Sequence, residues 1–199
     1  MGLKFEKTSM PQILEMDLNS IAKNYSFRCD AKQSELRFLE FEEYINSIDH
    51  FELNEYLPYP IVKGTQPKYV DDINASNIPV INTLAIRDLK ININDCRFIS
   101  EEDFEELDDE RKCKKNDILL TVDGGSSIGK PALFDLSGNF TIDSHISILR
   151  PVGISQLTLV YLLASPIGQL QFQKAESGAS GQTSVTEDDI RRFKFPSTS

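Results

Sequence analysis

Gly124 to Lys130 (GGSSIGK) is the stretch nearest to a chemical motif. It fits G-x-x-x-x-G-K, the glycine-rich loop whose backbone amides cradle phosphates. Two features set it apart. The motif requires Ser or Thr after the lysine, and Pro131 stands there. A phosphate loop also opens a helix whose N-terminal amides face the anion, whereas Pro131 leads into a strand-like segment. Ser144 and His145 suggest a nucleophile and a base, but neighbours in a strand point to opposite faces, so His145 is expected to be structural or hydrogen-bonding. G-x-S-x-G is absent. Two histidines, His50 and His145, are too few for a histidine-based metal site. Cys29, Cys96 and Cys113 are odd in number and lack C-x-x-C spacing, which suits a reduced, cytosolic setting. The acidic run Glu101 to Glu110 reads as a solvated face, since metal binding needs a fixed cluster of ligands. No catalytic constellation emerges, and the chain is expected to be no enzyme, with no cofactor of its own.

Ile61 to Tyr69 (IVKGTQPKY) points elsewhere. Gly64 permits an unusual backbone angle and Pro67 stiffens the loop. Lys63, Gln66, Lys68 and Tyr69 add donors and a ring, types that contact phosphates and base edges. The plain alternative is a solvated loop.

The elements that position these loops follow from periodicity. Ile118 to Val122 is apolar on both faces, as in a strand buried on both sides. Ala132 to Phe134, Phe140 to Ile142 and the alternation from His145 to Arg150 extend it into a meander presenting one polar, glycine-bearing tip. Ile78 to Asn82, Ala85 to Arg87 and Lys90 to Ile93 are strand-like. Leu36, Leu39, Tyr44, Ile45 and Ile48, widened by Phe38 and Phe41, make an amphipathic helix of about four turns starting at Asp30 to Gln33. It packs either on its own domain or on a partner helix. Ser100, Ser155, Ser165 (with Pro166 at the first position) and Thr186 are helix caps. Gly178 to Thr183 reads as a small polar loop, and Phe193 to Pro196 as a closing strand. The expected architecture is mixed α/β (α+β): a lead-in and helix over residues 1–55, then one domain over 56–199 with a twisted mixed sheet and flanking helices.

The 199 residues suffice for such a core. The net charge of −10 argues against non-specific polyanion binding while leaving room for a local basic face. No signal peptide is evident. The longest apolar stretch, Leu157 to Ala164, is far below the roughly 20 residues that span a membrane, and a cytoplasmic protein is expected.

The order of motifs carries a resemblance. Gly64 to Tyr69 (GTQPKY), Ile78 to Asn82 (IPVIN), Asn116 to Leu120 (NDILL), Gly129-Lys130, Ser144 to Pro151 (SHISILRP), Tyr161 to Ser165 (YLLAS), Gly178 to Gln182 (GASGQ), Asp189-Ile190 and Phe195-Pro196 follow one another. Over Ile61 to Pro196 the chain resembles a target recognition domain of the specificity (S) subunit of type I restriction–modification enzymes, or the similar domain of an adenine DNA methyltransferase. The resemblance implies a non-catalytic module that reads one half of a split target in double-stranded DNA. It implies a methyltransferase (M) subunit as partner, which binds S-adenosylmethionine, and an endonuclease (R) subunit that cuts. Full S subunits carry two such domains separated by long helices. This sequence holds one, so it is expected as a fragment, a half-subunit that pairs with a second recognition domain, or part of a fused methyltransferase.

Loop chemistry and motif position together nominate the DNA contacts. Lys63, Gln66, Lys68 and Tyr69 form one group. Ser126, Ser127 and Lys130 form a second, and Ser180, Gln182 and Thr183 a third, with Asn82 and Arg87 added. The competing expectation is an acidic protein-interaction domain that binds a methyltransferase or other partner without reading DNA, supported by Glu101 to Glu110.

Overall fold

The computed structural model describes residues 32, 35–70, 77–179 and 182–197. Its centre is a four-stranded antiparallel sheet in the order β2-β10-β7-β8, with β2 at Val62–Lys63, β7 at Ile118–Thr121, β8 at Pro131–Leu133 and β10 at Ile146–Leu149. All four residues of β7 and all four of β10 are buried, as the two-faced apolar run of Ile118 to Val122 predicts. One face packs Ile118, Leu120, Leu149, Leu159, Leu163 and Phe172 together. The other packs Leu119, Ala132, Phe134, Ile146 and Ile148. Each Leu, Ile or Phe among them contributes on the order of 1.5–3 kcal/mol by leaving water.

The class is mixed α/β, and the strands are divided among small sheets rather than gathered in one. The meander splits: β9 (Thr141–Ile142) leaves the central sheet to pair in parallel with β3 (Ile78–Ile81). On its other edge β3 pairs antiparallel with β6 (Arg97–Ile99). A two-stranded ribbon joins β4 (Ile86–Arg87) to β5 (Lys90–Ile91). Another ties β1 (His50–Glu52) to β13 (Lys194–Pro196), the closing strand.

Among the described residues five α-helices flank the sheets: α1 Leu36–Asn46, α2 Glu101–Glu105, α3 Gln156–Ala164, α4 Pro166–Ala175 and α5 Glu187–Arg191. Four start at the expected caps. The hydroxyls of Ser100, Ser155, Ser165 and Thr186 each accept a hydrogen bond from the third helical amide, and Asp189 completes a capping box with Thr186. Helix α1 departs from expectation. It runs for 11 residues behind Glu35, whose side chain makes no cap; Asp30 and Gln33 lie outside the described residues. Its buried side chains are Phe38 and Ile45, two turns apart, while Leu36 and Tyr44 are exposed. That face sits on α4 and β13 of its own domain. Gly178 to Thr183 also differs, because β11 (Ser177–Ala179) and β12 (Gln182–Ser184) pair as an antiparallel ribbon.

Candidate nucleic-acid interface

Three of the nominated segments meet at Asp123. Lys63, exposed at the end of β2, places Nζ 3.4 Å from Asp123 Oδ2. Asp123 forms a bridge with Ser184, which fixes the β11–β12 ribbon beside the glycine-rich loop. The Gly124 amide donates to the Thr183 carbonyl at 3.3 Å, and the Val185 amide to the Val122 carbonyl at 2.9 Å. His145 Nδ1 lies 4.0 Å from the same Asp123 oxygen. One end of the central sheet therefore carries the 63–70 loop, the 123–130 loop and the 177–184 ribbon side by side.

The 64–70 segment straps two sheets together. At one end the Gly64 amide donates to the Ile146 carbonyl at 3.0 Å; at the other the Val70 amide donates to the Phe98 carbonyl at 2.9 Å. Between them the Ser144 hydroxyl donates to Gln66 Oε1 at 3.2 Å. Ser144 and His145 occupy a turn before β10 rather than the strand expected there. Gly64 is present for proximity and not for an unusual angle. A Cβ at this position would lie 2.1 Å from the Asp143 carbonyl oxygen. Lys68 is exposed, and Tyr69 is half-buried against Arg97.

The glycine-rich loop makes a short turn over Gly125–Ser127 and passes directly into β8. It opens a strand and not a helix, in keeping with the proline that follows Lys130. Its far end is fastened to α4. Gln169 Nε2 donates to the Gly129 carbonyl at 2.7 Å, and a Cβ on Gly129 would meet the Phe172 ring at 2.8 Å. Ser126 and Lys130 are exposed, with Lys130 Nζ 3.4 Å from the Ser127 hydroxyl. A cleft of about 420 Å³ separates this loop from Gln169, Gln173, Glu176 and Thr183.

Other nominated residues are engaged differently. The Thr183 hydroxyl donates to Glu176, which also pairs with Lys32 at 3.1 Å. Those contacts, Thr183 first, hold the Glu176 carboxyl below its usual range. Asn82 is buried and holds the turn that follows β3. It is 8% exposed, its Nδ2 donates to the Asp95 carbonyl at 2.9 Å, and its Oδ1 accepts from the Leu84 and Ala85 amides. Arg87 is exposed on the β4–β5 ribbon and turned back onto the Leu84 carbonyl at 3.0 Å and Asp95 at 3.6 Å. Ser180 and the Gln182 side chain lie outside the described residues.

Sequence reasoning missed Asp123, the hub of the tip, and Asp143 beneath the strap. Asp143 is 5% exposed; burial pushes its carboxyl above the usual range, and the amide and imidazole of His145 and then Arg97 pull it back. A turn signal at Asp143 to His145 was the available clue. Of the cysteines, Cys29 lies outside the described residues. Burial pushes the Cys96 thiol up to about 11 and the Cys113 thiol higher still. Both stay protonated at neutral pH and are poor nucleophiles. Among the described residues no group of three or more His, Cys, Asp or Glu could hold a metal ion, and no helix is long and apolar enough to cross a membrane.

The mixed α/β domain with a polar, loop-built tip is of a kind that displays recognition loops on a rigid scaffold. The model of the type I restriction modification DNA specificity domain matches residues 48–197, and the chain belongs to that family. Two solved structures share the fold. One is a chain from a type I R-M system, studied for complex assembly and conformational transition, with TM-score 0.52, 15% identity and coverage of 89% of this chain and 43% of that one. The other is the HsdS subunit from Thermoanaerobacter tengcongensis, with TM-score 0.50, 14% identity and the same coverages. The present chain thus spans less than half the length of either. No curated protein matches the sequence.

Proposed function

We propose that this domain reads the base sequence of one half of a split target in double-stranded DNA, on behalf of a restriction–modification complex. The observation that carries this reading is the meeting of three polar loop segments around Asp123, at one end of a sheet whose strands are buried. Lys63, Gln66, Lys68, Ser126, Ser127 and Lys130 are the contacts, together with Ser180, Gln182 and Thr183. Lysine suits phosphates and, as a point charge without a rigid fork, single guanine acceptors, and glutamine suits adenine. The domain is non-catalytic and binds no cofactor. A methyltransferase subunit supplies S-adenosylmethionine chemistry and an endonuclease subunit cuts, all in the cytoplasm, while a second recognition domain reads the other half-site.

The exposed acids between Glu101 and Glu110 favour a second reading, a surface that docks on protein instead of DNA. Three of them are already paired, Glu105 with Lys112, Asp108 with Arg111 and Asp109 with Lys114, which weakens any imitation of a phosphate backbone.

The test is selection from random-sequence duplexes at low salt, with sequencing of the bound fraction. A short enriched motif is expected, and it is lost when Lys63, Gln66 and Lys130 are changed to Ala. Absence of enrichment both for the chain alone and for the chain with its neighbouring methyltransferase overturns DNA recognition.

A further inference from the structure

Arg97 lies outside every loop nominated from sequence, on the edge strand β6. Its guanidinium carbon sits 3.4 Å from the centroid of the Tyr69 ring. Arg97 is exposed, and among the described residues its guanidinium makes no hydrogen bond and no salt bridge. Tyr69 is half-buried beneath it, at the end of the strap that begins at Lys63. Burial, then the charge of Asp143, pushes the Tyr69 phenol up, and Arg97 pulls the other way. Asp143, the acid that acts on both, is buried, and its Oδ1 accepts from the His145 amide at 2.9 Å. The fork of Arg97 is therefore held over a ring with its donors unspent.

We propose that Arg97 is a specificity-determining residue, presenting its fork to the O6 and N7 acceptors of a guanine in the half-site, and that Tyr69 positions it. This rests on the sequence-reading function proposed above. A phosphate contact needs only positive charge, which Lys63 and Lys68 supply from the same strap. A planar fork fixed on an aromatic face supplies what a bidentate base contact needs. Much of the cost of ordering a long side chain is met before DNA arrives. Tyr69, nominated above as a contact, acts through Arg97.

The 199-residue chain, with the methyltransferase subunit where it binds only in complex, is carried through the duplex selection as wild type, Arg97→Lys, Tyr69→Leu and Tyr69→Phe. The melting temperature of each is measured beside it. Arg97→Lys keeps the charge and loses the fork. It is expected to erase one guanine column of the motif, with discrimination there falling about 5- to 150-fold and the other columns intact. Tyr69→Leu is expected to blur the same column, and Tyr69→Phe, which keeps the ring face, to restore it. Three outcomes overturn the assignment. Arg97→Lys with every column retained and affinity lowered uniformly marks a phosphate contact. All columns lost together with a lowered melting temperature marks a structural role. A blurring by Tyr69→Leu at some other column separates the ring from the fork. A wild-type chain that enriches nothing in either form removes the sequence-reading function itself, and the role of Arg97 with it.

Discussion

At Gly64 the protein has no room for a side chain. The added carbon of an alanine would stand 2.1 Å from the Asp143 carbonyl oxygen and 2.8 Å from that of Ile142. Both obstacles are backbone, so relief requires the strap to lift from the sheet edge and loosens the Gly64–Ile146 hydrogen bond. Gly64→Ala is expected to cost the roughly 1–3 kcal/mol typical of overpacking, lowering the melting temperature by about 2–12 °C. The same lift displaces Gln66 and Tyr69, so the enriched DNA motif degrades as well. An unchanged melting curve would show that the strap is not seated on Asp143. The glycine was visible in the sequence and its reason was not. Only the fold shows that a turn 79 residues further along the chain passes beneath it. Arg97 escaped notice on similar grounds. No motif in the sequence includes it, and Tyr69, the ring that distinguishes it, lies 28 residues earlier.

Between elements, two of the segments that carried the family resemblance form the frame beneath the tip. Asn116 to Leu120 and Ser144 to Pro151 pair as β7 and β10 in antiparallel register, Leu149 opposite Ile118. Where the two strands end, Arg150 grips Asp117 with Nε on Oδ1 at 2.9 Å and Nη2 on Oδ2 at 3.0 Å. Nη2 also donates to the Glu110 carbonyl at 3.0 Å, and the Lys114 amide donates to Asp117. The Asp117 side chain is 4% exposed, so removing its partner leaves a buried, uncompensated carboxylate. Arg150→Met is expected to cost about 3–5 kcal/mol in urea unfolding. Adding Asp117→Asn, which removes the charge and retains an acceptor for Lys114, is expected to recover part of that loss. Equal stabilities of single and double variants would mean that lost packing, not the stranded charge, sets the cost. Helix starts were legible because capping is local, a hydroxyl reaching an amide three residues away. Strand partners were not, because pairing is decided at a distance. Nothing within Phe140 to Ile142 announces that it leaves the meander for β3. Ser177 to Ser184 lacks the apolar alternation that marks a strand, and its ribbon is fixed by Asp123 instead.

Across the whole molecule, 31 acids face 21 bases, yet DNA affinity normally depends on neutralising phosphates. The distribution resolves part of the conflict. Away from the tip many bases already hold a carboxylate, as in Lys112–Glu105, Lys114–Asp109, Arg191–Glu187 and Arg150–Asp117. In and beside the three loop segments, Lys68, Lys130 and Arg97 make no salt bridge among the described residues, and Lys63 has only a 3.4 Å contact with Asp123. Four cations in all can engage DNA there, and one of them is assigned to a base. At a slope of about −0.9 per phosphate neutralised, the chain alone should lose affinity with salt no more steeply than about −4 on a log–log plot. Its binding should therefore be weak near physiological ionic strength. On the proposed function, with a methyltransferase subunit present the slope should steepen, the partner supplying phosphate contacts and this domain the discrimination. Fluorescence anisotropy on a duplex carrying the enriched motif, titrated across ionic strength with and without that subunit, measures both slopes. A markedly steeper slope for the chain alone would mean that cations outside the tip hold the backbone, and the division of labour between this domain and its partner would be wrong.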